Sequence, residues 1–165
     1  MHRSEQVSVS VFSQDHQKEV IDLILEIQQK EFNIAITAED QPDLHNIPEF
    51  YQKKNGNFWV AMVDNKVVGT LSLLDIGNNQ AALRKMFVCK AYRGPVFKVA
   101  AKLLDTLLNW GRSTGVKDIF LGTTPQFSAA HRFYEKNDFI EVSKNALPEA
   151  FPIMKVDTRF YKFGI

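Results

Sequence analysis

The stretch from residue 81 to residue 121, AALRKMFVCKAYRGPVFKVAAKLLDTLLNWGRSTGVKDIFL, decides the fold. An apolar run over residues 81–88 predicts a strand, and a shorter run at residues 119–121 predicts a second one. Between them, apolar residues recur at the i, i+3, i+4, i+7 spacing of a helix. They are Val96, Val99, Ala100, Leu103, Leu104, Leu107 and Leu108. Two strands joined by such a crossover helix are expected to pair in parallel, with a right-handed connection.

Two residues mark the ends of this helix in the sequence. Pro95 is expected in its first turn, because the N–H that proline lacks has no partner there in any case. Gly115 is expected at its C-terminal stop, where a left-handed backbone commonly ends a helix.

The rest of the chain adds elements around this unit. Val7, Val9 and Val11 alternate with serines, which predicts a half-buried first strand. The other predicted elements are a helix that follows Ser13, a loop with one short helix at 32–51, hairpin strands at 57–63 and 67–76, a helix at 128–136, a strand at 139–142 and a last strand within 153–163. No repeat or linker divides the chain, so we expect one domain over residues 1–165, of the α/β or α+β class.

Composition and charge limit the class of function. Apolar residues make up 45% of the chain and charged residues 24%, as in a folded globular domain. A formal charge of +1 gives no broad electrostatic footprint, so no nucleic-acid partner is expected. No apolar run approaches the roughly 18 residues of a membrane span, and the N-terminus lacks a signal-peptide core. We therefore expect a cytoplasmic protein without a membrane partner, and the single cysteine, Cys89, fits a reducing compartment.

The junction between the strand and the long helix is the segment where chemistry can be argued from the residues. The start of a helix presents unpaired N–H groups and the positive end of the helix dipole, so it can bind a phosphate group. Arg93 adds a formal charge, and Gly94 lets the backbone approach a ligand closely.

Two blocks of this sequence resemble the GNAT acetyltransferase superfamily. The first is LRKMFVCKAYRG at residues 83–94 with AAKLLDTLLNWG at 100–111, and the second is FLGTTPQFSAAHRFYEKNDF at 120–139. The second block contains the pattern A-x-x-F-Y-E-K-x-x-F, which starts at Ala130. The resemblance implies a central twisted mixed sheet of about seven strands flanked by about four helices, with acetyl-coenzyme A (acetyl-CoA) as cosubstrate.

The resemblance also implies which residues bind the cofactor. The family's pyrophosphate loop usually reads Q/R-x-x-G-x-G/A, and the loop here is two residues longer, with Lys98 in place of a glycine. The end of the fourth strand is expected to offer main-chain groups to the pantetheine arm. The expected cofactor-binding residues are Met86, Phe87, Val88, Arg93, Gly94, Lys98, Val99 and Ala100. An asparagine that commonly contacts pantetheine in the family is Phe127 here, so that contact is not expected.

The catalytic residues are only partly indicated. By resemblance, Tyr134 is the general acid that protonates the departing thiolate. The family's glutamate base is replaced by Ala82, which leaves ordered water, Asp75, Glu31 or His131 to accept the proton of the amine. His131 is expected at the surface. The histidines show no metal-ligand spacing, so no metal site is expected.

Two functions of different classes follow from these residues. The first is transfer of acetyl from acetyl-CoA directly to a primary amine of a small molecule or peptide, without an acyl-enzyme on Cys89. The alternative is a non-catalytic acyl-CoA-binding or regulatory module, which the residues at Ala82 and Lys98 favour and Tyr134 argues against. Aromatic residues near the C-terminus either support a homodimer or close the core, and both remain open.

Overall fold

A seven-stranded sheet forms the centre of the computed structural model, which describes residues 6–165. The strands are β1 (Ser8–Val11), β2 (Asn57–Val63), β3 (Lys66–Gly77), β4 (Gln80–Val88), β5 (Asp118–Thr123), β6 (Ile140–Val142) and β7 (Arg159–Gly164). They lie in the order β1-β2-β3-β4-β5-β7-β6. β4 and β5 pair in parallel, and the other neighbouring strands are antiparallel. The predicted mixed sheet and its parallel crossover pair are therefore confirmed.

Four α-helices flank the sheet, as predicted. They are α1 (Gln17–Leu25), α2 (Ile47–Phe50), α3 (Val99–Thr114) and α4 (Ser128–Lys136). α1 continues as a π-helix over Glu26–Glu31, and short 3₁₀ turns occupy Gln14–His16, Pro42–His45, Lys90–Tyr92 and Lys144–Ala146. Residues 1–5, which include His2, lie outside the described residues. The single domain expected over residues 1–165 therefore stays a prediction.

Alternation along β2 shows how the layers form. Phe58 and Val60 pack in one core with α1 and α2, whereas Trp59, Ala61 and Val63 pack in another core with α3. Successive side chains of a strand point to opposite faces of a sheet, so a strand that is apolar at every position is buried on both faces. The sheet is therefore covered by helices on both sides.

The start of α3 differs from the prediction. The helix begins at Val99, so Pro95 lies in the preceding turn and Val96, predicted on the buried face, is 84% exposed. Lys98 adopts a left-handed conformation with φ 54°, and a helix cannot run through such a residue. The C-terminal stop at Gly115 is as predicted, with φ 87°.

β1 also departs from its predicted pattern. Val7 and Val9 pack partly against the core, but Val11 is 49% exposed because β1 is an edge strand. The next residue, Phe12, is buried instead, and its N–H donates to the carbonyl of Phe58 at 2.8 Å.

A β-bulge in β4 sets the geometry of the site. Thr70 pairs with Phe87 and Ser72 with Arg84, so one residue of β3 faces two residues of β4. Lys85, within the bulge, has a left-handed φ of 58°. Past the bulge β4 leaves β5, because the two strands pair only from Gln80 to Ala82 of β4. Residues 83–88 therefore present an edge that β5 does not cover.

Gly69 tests the close packing of α3 on β3. A Cβ atom added at Gly69 would lie 2.8 Å from Cγ1 of Val99 and 3.3 Å from the carbonyl oxygen of Phe87. We expect Gly69→Val to lower the free energy of unfolding by about 1–3 kcal/mol, as overpacking does. Urea unfolding would measure this, with Gly164→Val as the matched control, since the nearest atom to a Cβ there is at 3.9 Å. Equal stability of the two variants would contradict the packing described.

Candidate active site

A cavity of about 390 Å³ lies where β4 and β5 separate. Its walls are residues 83–88 of β4, residues 122–124 at the end of β5, the first two turns of α4, the π-helical end of α1 and the segment 151–157. Ligands in open α/β sheets bind where neighbouring strands part at their carboxyl ends. The position of the cavity therefore follows from the bulge in β4.

The structure brings most of the predicted site residues to this cavity. Those that line it are Met86, Phe87, Val88, Arg93, Gly94, Ala100 and Tyr134. The other two do not line it. Lys98 is an exposed residue immediately before α3, and Val99 is 1% exposed and packs in the core.

The start of α3 has the properties of an anion site. No side chain in the described part of the chain caps the helix, and its first hydrogen bond runs from the N–H of Lys102 to the carbonyl of Lys98 at 3.0 Å. The N–H groups of residues 99–101 are consequently available to a ligand. Lys98 shows that a non-glycine residue takes up the left-handed conformation at the position where the family has glycine.

Arg93 is neutralised within the protein. Its guanidinium forms a two-pronged ion pair with Glu31, with Nη2 donating to Oε1 at 2.7 Å and Nη1 donating to Oε2. Nε donates to the carbonyl of Val88 at 2.8 Å. The hydrogen bond from Arg93 lowers the pKa of Glu31. Arg93 therefore ties the end of the α1 segment to β4, and the carbonyl of Val88 is already occupied.

The three side chains considered as a base are engaged elsewhere, and none of them lines the cavity. Glu31 pairs with Arg93, and Asp75 accepts the N–H groups of Asn55 at 3.1 Å and Gly77 at 2.8 Å. The expectation that His131 lies at the surface is wrong, because it is 5% exposed.

His131 holds two segments together. Nη1 of Arg159, on β7, donates to Nδ1 at 3.1 Å, so Nε2 carries the proton that is donated to the carbonyl of Thr124 at 2.9 Å. Sequence reasoning missed this because both partners come from other strands and loops.

Tyr134 lies on the buried face of α4. Its ring packs against Tyr161 and Phe139, with centroids 6.0 Å and 5.5 Å away, and the residue is 4% exposed. Its hydroxyl makes no hydrogen bond within the described residues, and burial raises its pKa. The phenol is therefore protonated at neutral pH and borders the cavity as a potential proton donor.

Thr124 supplies a further polar group to the cavity wall. Its hydroxyl oxygen is the one side-chain N or O atom in residues 6–165 that is completely buried and lacks a hydrogen-bond partner. Such an atom is usually satisfied by a ligand or water. The uncovered edge of β4, the N–H groups at the start of α3 and this hydroxyl together fit a molecule with amide and pyrophosphate groups, as acetyl-CoA has.

A buried polar network that the sequence did not reveal lies beside the cavity. The ammonium group of Lys85 donates to Oε1 of Gln41 at 2.6 Å and lies 3.5 Å from Oδ2 of Asp43, which accepts the hydroxyl of Tyr51 at 2.6 Å. Burial lowers the pKa of Lys85 to about 8. Two adjacent charged residues, Arg84 and Lys85, inside a largely apolar strand were the available signal. The partners of Lys85 come from the segment before β2, which the sequence does not place beside it.

Two structural findings concern other kinds of site. Over residues 6–165, no helix combines the length and apolar character that crossing a membrane requires. The same residues contain no cluster of three or more His, Cys, Asp or Glu side chains that could hold a metal ion.

The chain is similar to a known protein family and to several curated proteins. The model of the acetyltransferase (GNAT) family matches residues 21–139. An N-acetylaspartate synthetase of Xenopus tropicalis is 36% identical over 104 residues, covering 61% of this chain and 37% of that protein. N-acetyltransferase 8F1 of Rattus norvegicus is 27% identical over 126 residues, covering 73% of this chain and 56% of that protein. The chain thus spans between about a third and somewhat more than half of the length of these relatives.

Solved structures are similar over nearly the whole chain. An acetyltransferase of the GNAT family from Staphylococcus aureus Mu50 is 40% identical with a TM-score of 0.93, covering 96% of this chain and 98% of that one. A PaiA N-acetyltransferase from Thermoplasma acidophilum, in complex with coenzyme A, has a TM-score of 0.74 at 16% identity, with 97% and 99% coverage. The second likeness is one of fold alone.

Lys85 gives the folded state a characteristic pH dependence. Its pKa is about 8 in the folded chain against 10.5 as the ordinary value, so the unfolded chain binds more protons between these pH values. The contribution of Lys85 to the free energy of unfolding therefore rises with pH between these values, by up to about 1.4 kcal/mol per pH unit. We expect the unfolding free energy of wild type minus that of Lys85→Met to rise from pH 8 to pH 10. The control is Lys66→Met, a variant at an exposed site, for which the same difference should not change with pH. A flat difference for Lys85→Met would contradict the buried network.

Proposed function

Because the chain belongs to the acetyltransferase (GNAT) family, we propose that it transfers acetyl from acetyl-CoA directly to a primary amine of a small molecule or peptide, with Tyr134 as general acid. One observation carries the proposal. The unpartnered hydroxyl of Tyr134 borders the same cavity as the uncovered edge of β4 and the start of α3.

Each part of the chain has a role in this transfer. When bound, acetyl-CoA supplies an acetyl thioester, whose carbonyl is open to attack by an amine. The main-chain groups of residues 83–87 that β3 does not engage bind the amide-containing arm as an added strand would, because β5 does not occupy this edge. The carbonyls of Arg84 and Lys85 are not among them, since they accept the hydroxyls of Ser72 and Thr70. The N–H groups of residues 99–101 bind the pyrophosphate, with the positive end of the helix dipole behind them. Val99 contributes through its main-chain N–H, whereas the N–H of Lys98 donates to the carbonyl of Gly94 and its left-handed backbone shapes the turn before α3. Arg93 shapes the loop through its pairing with Glu31.

Tyr134 supplies the proton that a thiolate leaving group needs. Burial keeps its hydroxyl protonated, and the hydroxyl is free of other partners in the described residues. No carboxylate stands at Ala82, so amine deprotonation requires another group or water.

Relatives named N-acetylaspartate synthetase favour a small-molecule acceptor over a peptide for this chain. The location in the cytoplasm and the homodimer stay predictions of the sequence.

A non-catalytic acyl-CoA-binding or regulatory module is the alternative. It is favoured by the engagement of Glu31, Asp75 and His131 in other contacts. Calorimetry with CoA and acetyl-CoA, followed by an assay of thiol release from acetyl-CoA with a panel of primary amines, separates the two. Binding with amine-dependent thiol release supports the enzyme, binding without release with any amine supports the module, and absence of binding removes both.

Tyr134→Phe tests the role of the hydroxyl. Since this hydroxyl has no hydrogen-bond partner in the described residues, its removal should leave the unfolding midpoint nearly unchanged. We expect kcat for thiol release to fall by about 10²- to 10⁴-fold, the usual contribution of a general acid.

Tyr161→Phe is the matched control for this variant. Its ring packs against Tyr134, but its hydroxyl donates to Glu135 at 2.6 Å and does not line the cavity. Its kcat should stay close to that of wild type. Unchanged kcat in Tyr134→Phe would show that the sulfur leaves without this proton.

A further inference from the structure

The charged side chains that line the cavity are not all paired. They are Arg84, Lys85, Arg93 and Asp157. Arg93 is neutralised by Glu31 and Lys85 by Asp43. One cation and one carboxylate, Arg84 and Asp157, are left.

Arg84 has only weak partners within the described residues. Its Nη2 donates to Sδ of Met154 at 3.1 Å, and its Cζ lies 5.6 Å and 5.9 Å from the ring centroids of Phe50 and Tyr51. No carboxylate in residues 6–165 forms a salt bridge with it. A guanidinium offers five N–H donors, and a thioether is only a weak acceptor. Arg84 therefore lacks the anion that its fork of donors matches.

Asp157 lies close enough to be influenced by this cation without bonding to it. Its Oδ2 accepts the N–H of Met154 at 3.0 Å. Burial raises the pKa of Asp157, and this effect exceeds the opposite effect of the nearby positive charges of Arg84 and Lys85. It forms no salt bridge in the described residues.

Gly122 makes room for this carboxylate. A Cβ atom at Gly122 would lie 2.6 Å from Oδ2 of Asp157, so any other residue at position 122 would displace the carboxylate. Asp157 can therefore lie close against β5 at the cavity wall.

We propose that Arg84 and Asp157 form the acceptor site and that the acceptor is a free amino acid, with its carboxylate on Arg84 and its ammonium group on Asp157. The inference rests on the proposed N-acetyl transfer and names its substrate class. A free amino acid carries both charges a few ångströms apart, so it satisfies both residues at once. A polyamine leaves Arg84 without a partner, and the N-terminus of a peptide has no adjacent carboxylate.

The direct test compares amino acids with their amides. The probes are the twenty common L-amino acids and their α-carboxamides, in which the amine stays and the carboxylate becomes neutral. Binding is measured by calorimetry with CoA present, and turnover by thiol release from acetyl-CoA. We expect the preferred amino acid to bind about 10- to 100-fold more tightly than its amide, as for a charge-assisted hydrogen bond.

Variants identify the residues responsible. Arg84→Gln should reduce the amino acid-to-amide ratio to about one, while the affinity for CoA stays the same. Asp157→Asn should weaken binding of the amino acid and its amide alike, because both carry the ammonium group. Lys155→Gln is the control, since Lys155 is exposed and pairs with Asp40 at 3.3 Å. It should retain the wild-type ratio.

The outcomes separate this inference from the proposed function. Equal binding of amino acids and amides, or an unchanged ratio in Arg84→Gln, would overturn the inference even if amines are acetylated. Absence of thiol release with every amine tested would overturn the proposed transfer. The binding comparison would still decide whether Arg84 recognises a carboxylate.

Discussion

At Lys85 the chain passes through a left-handed conformation, and two buried hydroxyls of β3 hold it there. Thr70 donates to the carbonyl of Lys85 at 2.7 Å, and Ser72 donates to that of Arg84 at 2.8 Å. Left-handed backbone is costly for a non-glycine residue, so it persists where surrounding bonds fix it. The resulting bulge bends β4 away from β5, opens the cavity and leaves a strand edge uncovered.

The same bulge determines the chemistry of the cavity wall. It directs Lys85 toward a buried network, where Gln41 accepts a hydrogen bond from it and Asp43 neutralises its charge. It leaves Arg84 in the cavity wall against Met154. At the other end, the pairing of Arg93 with Glu31 removes a second charge. Because these pairs are closed within the protein, Arg84 and Asp157 are the charged side chains of the cavity wall that form no salt bridge in the described residues.

The sequence predicted the parts of the fold that depend on local periodicity. The apolar spacing of α3 and the apolar runs of β4 and β5 identified the parallel crossover, and spacing from the family motif led to Tyr134. It misplaced the helix start, because the left-handed Lys98 has no signature in side-chain type. It also missed Arg84 and Asp157, since residues 73 positions apart in the sequence come to the same cavity only in the folded chain.

Amide hydrogen exchange with and without CoA tests most directly whether the edge opened by the bulge is the cofactor site. The account predicts slower exchange for amides within residues 83–88 and 99–101 when CoA binds, and unchanged exchange in β1 and β2. Binding of CoA with no added protection in either segment would contradict it.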